Sequence, residues 1–441
     1  MKFNEISAFL ENIDEHTEQE ILSNMQYINT YFRQTKYWPF IKEYLEGIIK
    51  IADKDKILFE LFKDEKKFSL REEKIDFPEK LKFGVEIEVA DLPLDAIQYV
   101  FESNSIETIM KILEVPSEFS DKIIRNSEFG KKSEPSKWIF SREATSDASE
   151  ASSPIMQNNV YDLNQIVAIC TLLKALNAEL NGGTGLHINV GADYLECNEK
   201  AIENLLKIWG ECEELFFKIA NPEGEVMRVV AHNMATPIKE NIQDFFEGDG
   251  SVTLNTDEDL EKFLYQIQAR NRMYEIVSWS NFGPENNVEY DLKFAKTDEE
   301  RFKIYQRYEK GMREKGDTNS KVRWTSINFN HMKWNSNNPG RIEIRIFNSS
   351  LEPEIIFQDL LLVGKMFQVS LENAKNPNYK KTEFEKLFLR DVTETVKVNN
   401  LLNLLFDDES QRKIFKDRWQ SVRNNKDYKK YKSGRDTFEA R

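Results

Sequence analysis

The sequence predicts an α+β protein whose sheet is largely antiparallel. Three observations carry that prediction. Segments 83–89, 186–190 and 341–347 alternate apolar and polar residues with the period of two that a half-buried strand requires. The stretches around them repeat apolar residues at helical intervals. The two patterns mix without the regular strand–helix–strand rhythm of a parallel sheet.

Taken in order, residues 1–80 read as helical. Thr17 and Glu20 have the spacing of a capping box, and Ile21, Leu22, Met25 and Ile28 follow at helical intervals. Pro39 interrupts, a second run passes through Tyr44, Ile48, Ile49 and Ile51, and the charge-rich stretch 63–79, with Pro78 near its end, reads as a linker. From Leu81 the period becomes two: Phe83, Val85, Ile87 and Val89 share one face, Glu86 and Glu88 the other. Trp138-Ile-Phe-Ser-Arg-Glu143 and a Ser/Ala-rich stretch ending Glu150-Ala-Ser-Ser-Pro154 come next. A helix opens near Asp162 and runs through Ile166, Ile169, Leu173 and Leu176. Asn181-Gly-Gly-Thr-Gly185 is a turn: it lacks the Lys-Ser/Thr ending of a phosphate loop and precedes a strand rather than a helix. Residues 199–220 form a helix stopped by Asn221-Pro222. A polar stretch, 246–258, reads as a surface loop and 298–315 as a charged helix. Strand-like segments at 324–330 and 341–347 lead to a long apolar helix, 353–374, that ends before Pro377. No internal repeat is evident.

Composition narrows the function. A chain of 441 residues with 30 Phe, 15 Tyr and 7 Trp can bury a large core, which excludes global disorder. No stretch approaches the ~18 apolar residues of a membrane span, so no membrane partner is expected. The N-terminus has acids within it and no cleavage site after an apolar run, unlike a secretory signal. Cys170, Cys197 and Cys212 show no paired spacing, which points to the reduced cytoplasm and to small buried apolar roles for the thiols. A net charge of −15 argues against a nucleic-acid partner. Residues 410–441 hold 11 Lys/Arg against 4 Asp/Glu, a tail of +7 on a remainder of −22. Such a tail reads first as a solvated helix with a frayed end; contact with RNA, an acidic partner or the chain's own acidic body is the alternative.

The strands carry the chemistry. Their polar faces display Glu86 and Glu88; His187 and Asn189; and Arg341, Glu343 and Arg345. Any one of these faces could simply be solvated, but together they supply what a divalent-metal phosphate site requires: hard oxygen ligands, a neutral imidazole and guanidinium forks. Glu-x-Glu on one strand sets two carboxylates roughly 6–7 Å apart. Arg270 and Arg272, His232 and His331 read as solvated or structural.

In these residues the sequence resembles the amidoligase family, carboxylate–amine ligases with a glutamine-synthetase-like fold. The family's G-x-E-x-E strand corresponds to Gly84-Val-Glu86-Ile-Glu88, and its Trp strand and E-x-x-S-P element to Trp138 and Glu150-Ala-Ser-Ser153-Pro154. Its C-G-x-H-x-H strand corresponds to Thr184-Gly185-Leu-His187-Ile-Asn189, and its closing elements to Trp324–Asn328 and Arg341-Ile-Glu343-Ile-Arg345-Ile-Phe347. Thr184 and Asn189 depart from the family's Cys and second His. The resemblance covers residues 81–375, read as the catalytic domain; a helical N-terminal region at 1–80 and a helical, basic C-terminal tail at 376–441 lie outside it. It implies ATP and Mg²⁺ (two ions, with Mn²⁺ as a substitute), held by Glu86, Glu88, Glu150, His187 and Glu343. Arg345 and Arg341 would meet the transferring phosphoryl group, Asn328 and Asn189 the nucleotide pocket. Glu143 is a further candidate for the metal shell, and Glu143 and Asp147 are candidate proton acceptors. The expected partners are a small-molecule or peptide carboxylate and an amine, with a protein partner on the N-terminal helices or the tail. A phosphotransferase on the same fold, acting on a guanidino or amine group, is the first alternative. A catalytically degenerate binding or regulatory protein is the second.

Overall fold

The computed structural model describes residues 2–34, 38–90, 105–122, 136–142, 148–223, 325–329 and 339–424, with single positions 235, 242, 300 and 332. Two compact units divide the chain: 1–186 with 349–358, and 187–348 with 359–441. Helix and strand mix in both, and the sheet is largely antiparallel, as the α+β expectation has it.

In the first unit, helices α1 (Phe3–Glu11), α2 (Glu18–Gln34), α3 (Trp38–Ile51) and α4 (Lys54–Phe62) make up the N-terminal layer. The capping box is present at the start of α2. Thr17 N–H donates to Glu20 Oε2 at 2.8 Å, and Glu20 N–H donates back to Thr17 Oγ1 at 3.3 Å. The bond from the Thr17 backbone, and then that from its hydroxyl, hold the Glu20 carboxyl below its usual range. Ile21, Met25 and Ile28 are fully buried, the stripe their spacing requires.

The charged stretch after α4 has no regular structure, but it is not a loose linker. Asn158 Oδ1 accepts the N–H of Ile75 at 3.0 Å, and its Nδ2 donates to the carbonyls of Ile75 (2.5 Å) and Phe77 (2.6 Å). Asn164 does the same for Arg71, accepting its N–H at 2.8 Å and donating to its carbonyl at 2.9 Å. Two buried amides thus replace the sheet or helix partners that this backbone lacks.

Strand β1 (Lys82–Ala90) follows, then α5 (Ser105–Ile112), α6 (Ser117–Ser120), β2 (Ile139–Arg142), β3 (Ala148–Ser152), β4 (Met156–Gln157) and α7 (Val160–Ala175). Within this unit β3 lies between β2 and β1, β4 pairs the first residues of β1, and the beginning of β5 (Gly185–Gly191) comes next to β1. Phe83, Val85, Ile87 and Val89 form the buried face of β1. Helix α7 opens on Asn159, whose side chain accepts the Asp162 N–H, and it is buried almost all round. Asn181–Gly185 is the turn its composition predicts. Gly183 N–H donates to Asn181 Oδ1 at 2.8 Å, and Thr184 Oγ1 donates to the Asn181 carbonyl at 2.9 Å.

The second unit takes in the rest of β5, α8 (Glu199–Ile219), β6 (Ile327–Asn328) and β7 (Arg341–Asn348). It continues with most of α9 (Pro353–Lys375) and with α10 (Lys381–Leu387), α11 (Glu394–Leu405) and α12 (Glu409–Ser421). Here β7 lies between β5 and β6, with Ile327 opposite Ile344 and Asn328 opposite Glu343. The basic tail begins as a packed helix rather than a solvated one. Phe415 and Trp419 are buried, and Arg418, 7% exposed, donates through Nε to the Ile219 carbonyl at 3.0 Å. Arg418 also pairs with buried Asp359 at 3.0 Å, so this part of the tail engages the chain's own acidic body. Among the described residues, no helix is long and apolar enough to cross a membrane.

Two of the three cysteines meet the expectation of burial; Cys197 is exposed, in a left-handed backbone conformation after Glu196. Burial pushes the Cys170 thiol up to about 12, which leaves it unreactive at neutral pH. An aromatic disulfide reagent is therefore expected to label the thiol of Cys197 in the native protein, and those of Cys170 and Cys212 only after denaturant is added. Replacing Asn158 by Ala strands backbone groups of Ile75 and Phe77, and urea denaturation should register a loss of roughly 1–3 kcal/mol.

Candidate metal and phosphate site

In the first unit, period-two geometry puts Glu86 and Glu88 on the polar face of β1. The antiparallel register then sets Glu88 directly opposite Glu150 on β3, and Glu86 opposite Ser152. Carboxylate oxygens of Glu88 and Glu150 lie within 4.8 Å of one another, close enough to share a cation. Glu88 is 2% exposed and Glu150 partly buried. Like charges directly across a strand pair are destabilising, and more so away from water.

The local backbone is arranged to hold this pair. Gly185 N–H, at the start of β5, donates to Glu88 Oε2 at 2.6 Å, and Ser349 Oγ donates to the Glu88 carbonyl at 2.5 Å. The Ser152 hydroxyl makes a short bond to Glu150 Oε1. Ser153, in the E-x-x-S-P element, accepts the Val85 N–H on Oγ at 2.8 Å and so ties β1 to the residues that follow Glu150. Charge-assisted donors of this kind stabilise a carboxylate. Two oxygen donors so placed could hold a metal ion.

In the second unit, Glu343 is the centre of a buried polar knot. It is 4% exposed on β7. Asn328, its partner across β6, donates from Nδ2 to Oε2 at 2.8 Å. Arg345, two residues along the same strand face, donates from Nη1 to Oε1 in a short ion pair. His187 Nδ1 stands 3.5 Å from the same oxygen. His187 is 2% exposed on β5, and Asn189, 8% exposed, follows it on the same face of that strand. Arg341 sits at the exposed start of β7 and is not one of the groups holding Glu343. An imidazole, a carboxylate, an amide and a guanidinium in one place supply a metal ligand set and an anion-binding fork together.

Each unit thus gathers its own share of the residues singled out from the sequence. Glu86, Glu88 and Glu150 belong to the first; His187, Asn189, Asn328, Arg341, Glu343 and Arg345 belong to the second. Glu143, Asp147, Trp324, Arg270, Arg272, His232, His331, the stretch 246–258 and, apart from position 300, the helix read at 298–315 lie outside the described residues. Sequence reading missed Ser152, Ser349 and the Gly185 N–H as holders of the acidic pair. Small residues in a Ser/Ala-rich run and a turn glycine carry no signal until register assigns them a partner.

No protein-family model matches the chain, and no curated protein sequence matches it.

Glu88→Gln retains an acceptor for the Gly185 N–H but removes one charge of the pair. Titration with Mn²⁺ alone is expected to show affinity reduced by at least about tenfold, with the midpoint of thermal unfolding nearly unchanged or raised. A collapse of folding with unaltered Mn²⁺ affinity would make Glu88 a structural residue.

Proposed function

We propose that this protein is an ATP- and Mg²⁺-dependent carboxylate–amine ligase, an amidoligase, on a sheet of the glutamine-synthetase type, acting in the cytoplasm. One observation carries the reading: two carboxylates, Glu88 and Glu150, are set opposite each other within 4.8 Å in a site that leaves Glu88 almost no water. Carboxylate oxygens so placed are close enough to share one cation, and a hard dication is the ion that suits oxygen donors. Support comes also from the Glu343 knot, which sets the Arg345 guanidinium beside Glu343 and so brings a group of phosphate-binding chemistry next to a proposed metal ligand.

In this reading Glu86, Glu88, Glu150, His187 and Glu343 would hold the ions, and Asn328 and Asn189 would line the nucleotide pocket. A bound divalent cation supplies charge neutralisation for the phosphate oxygens. A carboxylate does not condense with an amine at neutral pH because it is a poor electrophile. A substrate carboxylate oxygen attacks the γ-phosphorus of ATP, the bond to ADP breaks, and an acyl phosphate forms. Arg345, with Arg341 nearer solvent, offsets the charge that develops on the transferring group. The amine nitrogen then attacks the acyl carbon, phosphate leaves, and the amine's proton passes to a carboxylate, for which Glu143 and Asp147 are the candidates. The substrates proposed are a small-molecule or peptide carboxylate and an amine. The N-terminal helices or the basic tail are proposed for a protein partner.

The test is product analysis. Cell extract incubated with the protein and Mg·ATP should yield, by mass spectrometry, a new species lighter by one water than the sum of its precursors, together with released phosphate. Glu86→Ala and Glu343→Ala variants that still fold should lose at least about a hundredfold in ATP turnover. A stable phosphorylated product would instead make the protein a phosphotransferase.

A further inference from the structure

Helix α8 carries Trp209 and Glu213 one turn apart, and both reach a single hydroxyl. Trp209 Nε1–H donates to Glu213 Oε1 at 3.0 Å and stands 3.1 Å from Ser326 Oγ. The Ser326 hydroxyl makes a short bond to the same Glu213 oxygen. Trp209, Glu213 and Ser326 are 1%, 1% and 0% exposed. The rest of this helix face is apolar, with Leu205, Leu206, Phe216 and Ile219 buried beside them. A well-packed hydrophobic residue at 213 would stabilise such an interface at lower cost than a carboxylate does, so Glu213 serves something that burial alone does not explain.

The partner of Ser326 shows what that is. Residue Ser326 precedes β6, and the register that sets Ile327 against Ile344 continues to place Ser326 opposite Arg345. The Arg345 N–H donates to the Ser326 carbonyl at 3.0 Å. One residue is therefore bonded through its side chain to helix α8 and through its backbone to the residue that carries the guanidinium. Asn328, two positions further along β6, holds the Glu343 carboxylate that Arg345 also contacts.

We infer that Glu213 is a positioning residue for Arg345: through Ser326 it fixes the start of β6 against α8, and with it the backbone from which the guanidinium reaches a nucleotide's phosphates. The inference rests on the ligase reading, which gives Arg345 that role. Glu213 does not touch substrate. It limits the places that the Arg345 side chain can occupy, and a bidentate contact to phosphate tolerates little displacement.

The experiment is a double-mutant cycle read in binding. Affinity for Mg²⁺ with a non-hydrolysable ATP analogue is measured by calorimetry on the full chain as wild type, Glu213→Gln, Arg345→Ala and the double variant. The wild type binds, Glu213→Gln binds about tenfold more weakly, and in the Arg345→Ala background Glu213→Gln has no further effect. Losses that multiply independently would reduce Glu213 to a core residue and overturn the inference while leaving the ligase reading intact. No binding by the wild type would overturn that reading and the inference with it. If Glu213→Gln does not fold, the cycle is run with Ser326→Ala, which removes one hydroxyl; unchanged affinity in that variant also overturns the inference.

Discussion

Glu88 and Glu150 face each other across a pair of antiparallel strands, and at a separation of 4.8 Å or less two unit negative charges repel by at least about 3.5 kcal/mol at an effective dielectric near 20. Nothing in local propensity favours this. Glutamate is depleted in strands, and a nearly sealed carboxylate such as Glu88 loses most of its hydration. The surrounding backbone is organised around that cost. A strand-opening glycine offers an N–H, two serines offer hydroxyls to the strand and to the second acid, and the apolar face of β1 keeps the register from slipping by one residue. A slip would exchange Glu86 and Glu88 for Val85, Ile87 and Val89 on the polar side and bury the acids in the core.

The second unit meets a related demand in a different way. Glu343 is buried beside a cation, Arg345, and a neutral donor, Asn328, so β6 and β7 themselves supply partners for its carboxylate. Buried ion pairs of this sort seldom increase stability over apolar packing, and breaking one leaves an uncompensated charge. Their value lies in definition: an amide, a carboxylate and a guanidinium that satisfy one another adopt one arrangement. The contact of Glu213 with Ser326 extends that definition from the strand pair to helix α8.

Much of this was legible in the sequence because it depends on short-range periodicity. Alternation at 83–89 and 341–347 gave the strands and which residues share a face; the Thr17–Glu20 spacing gave the capping box; the Lys-free glycine turn at 181–185 was correctly separated from a phosphate loop. Two readings failed for long-range reasons. The stretch 63–79 has linker composition, yet Asn158 and Asn164, roughly ninety residues away, bind its backbone. The basic tail has the charge of a solvated helix, yet Phe415, Arg418 and Trp419 bury one side of it against α8 and α9. Composition records what a segment carries, and tertiary contacts determine what it meets.

The amino-acid order by itself determined which residues could do chemistry and which strand face each would occupy, because a strand's two-residue period is a local property of the backbone. Only the tertiary structure decided that Glu88 opposes Glu150, that Asn328 opposes Glu343, and that Glu213 reaches Ser326. Those pairings depend on strand register and helix packing between segments up to about a hundred residues apart, and such registers are selected by the burial of whole apolar faces rather than by any residue within the motif.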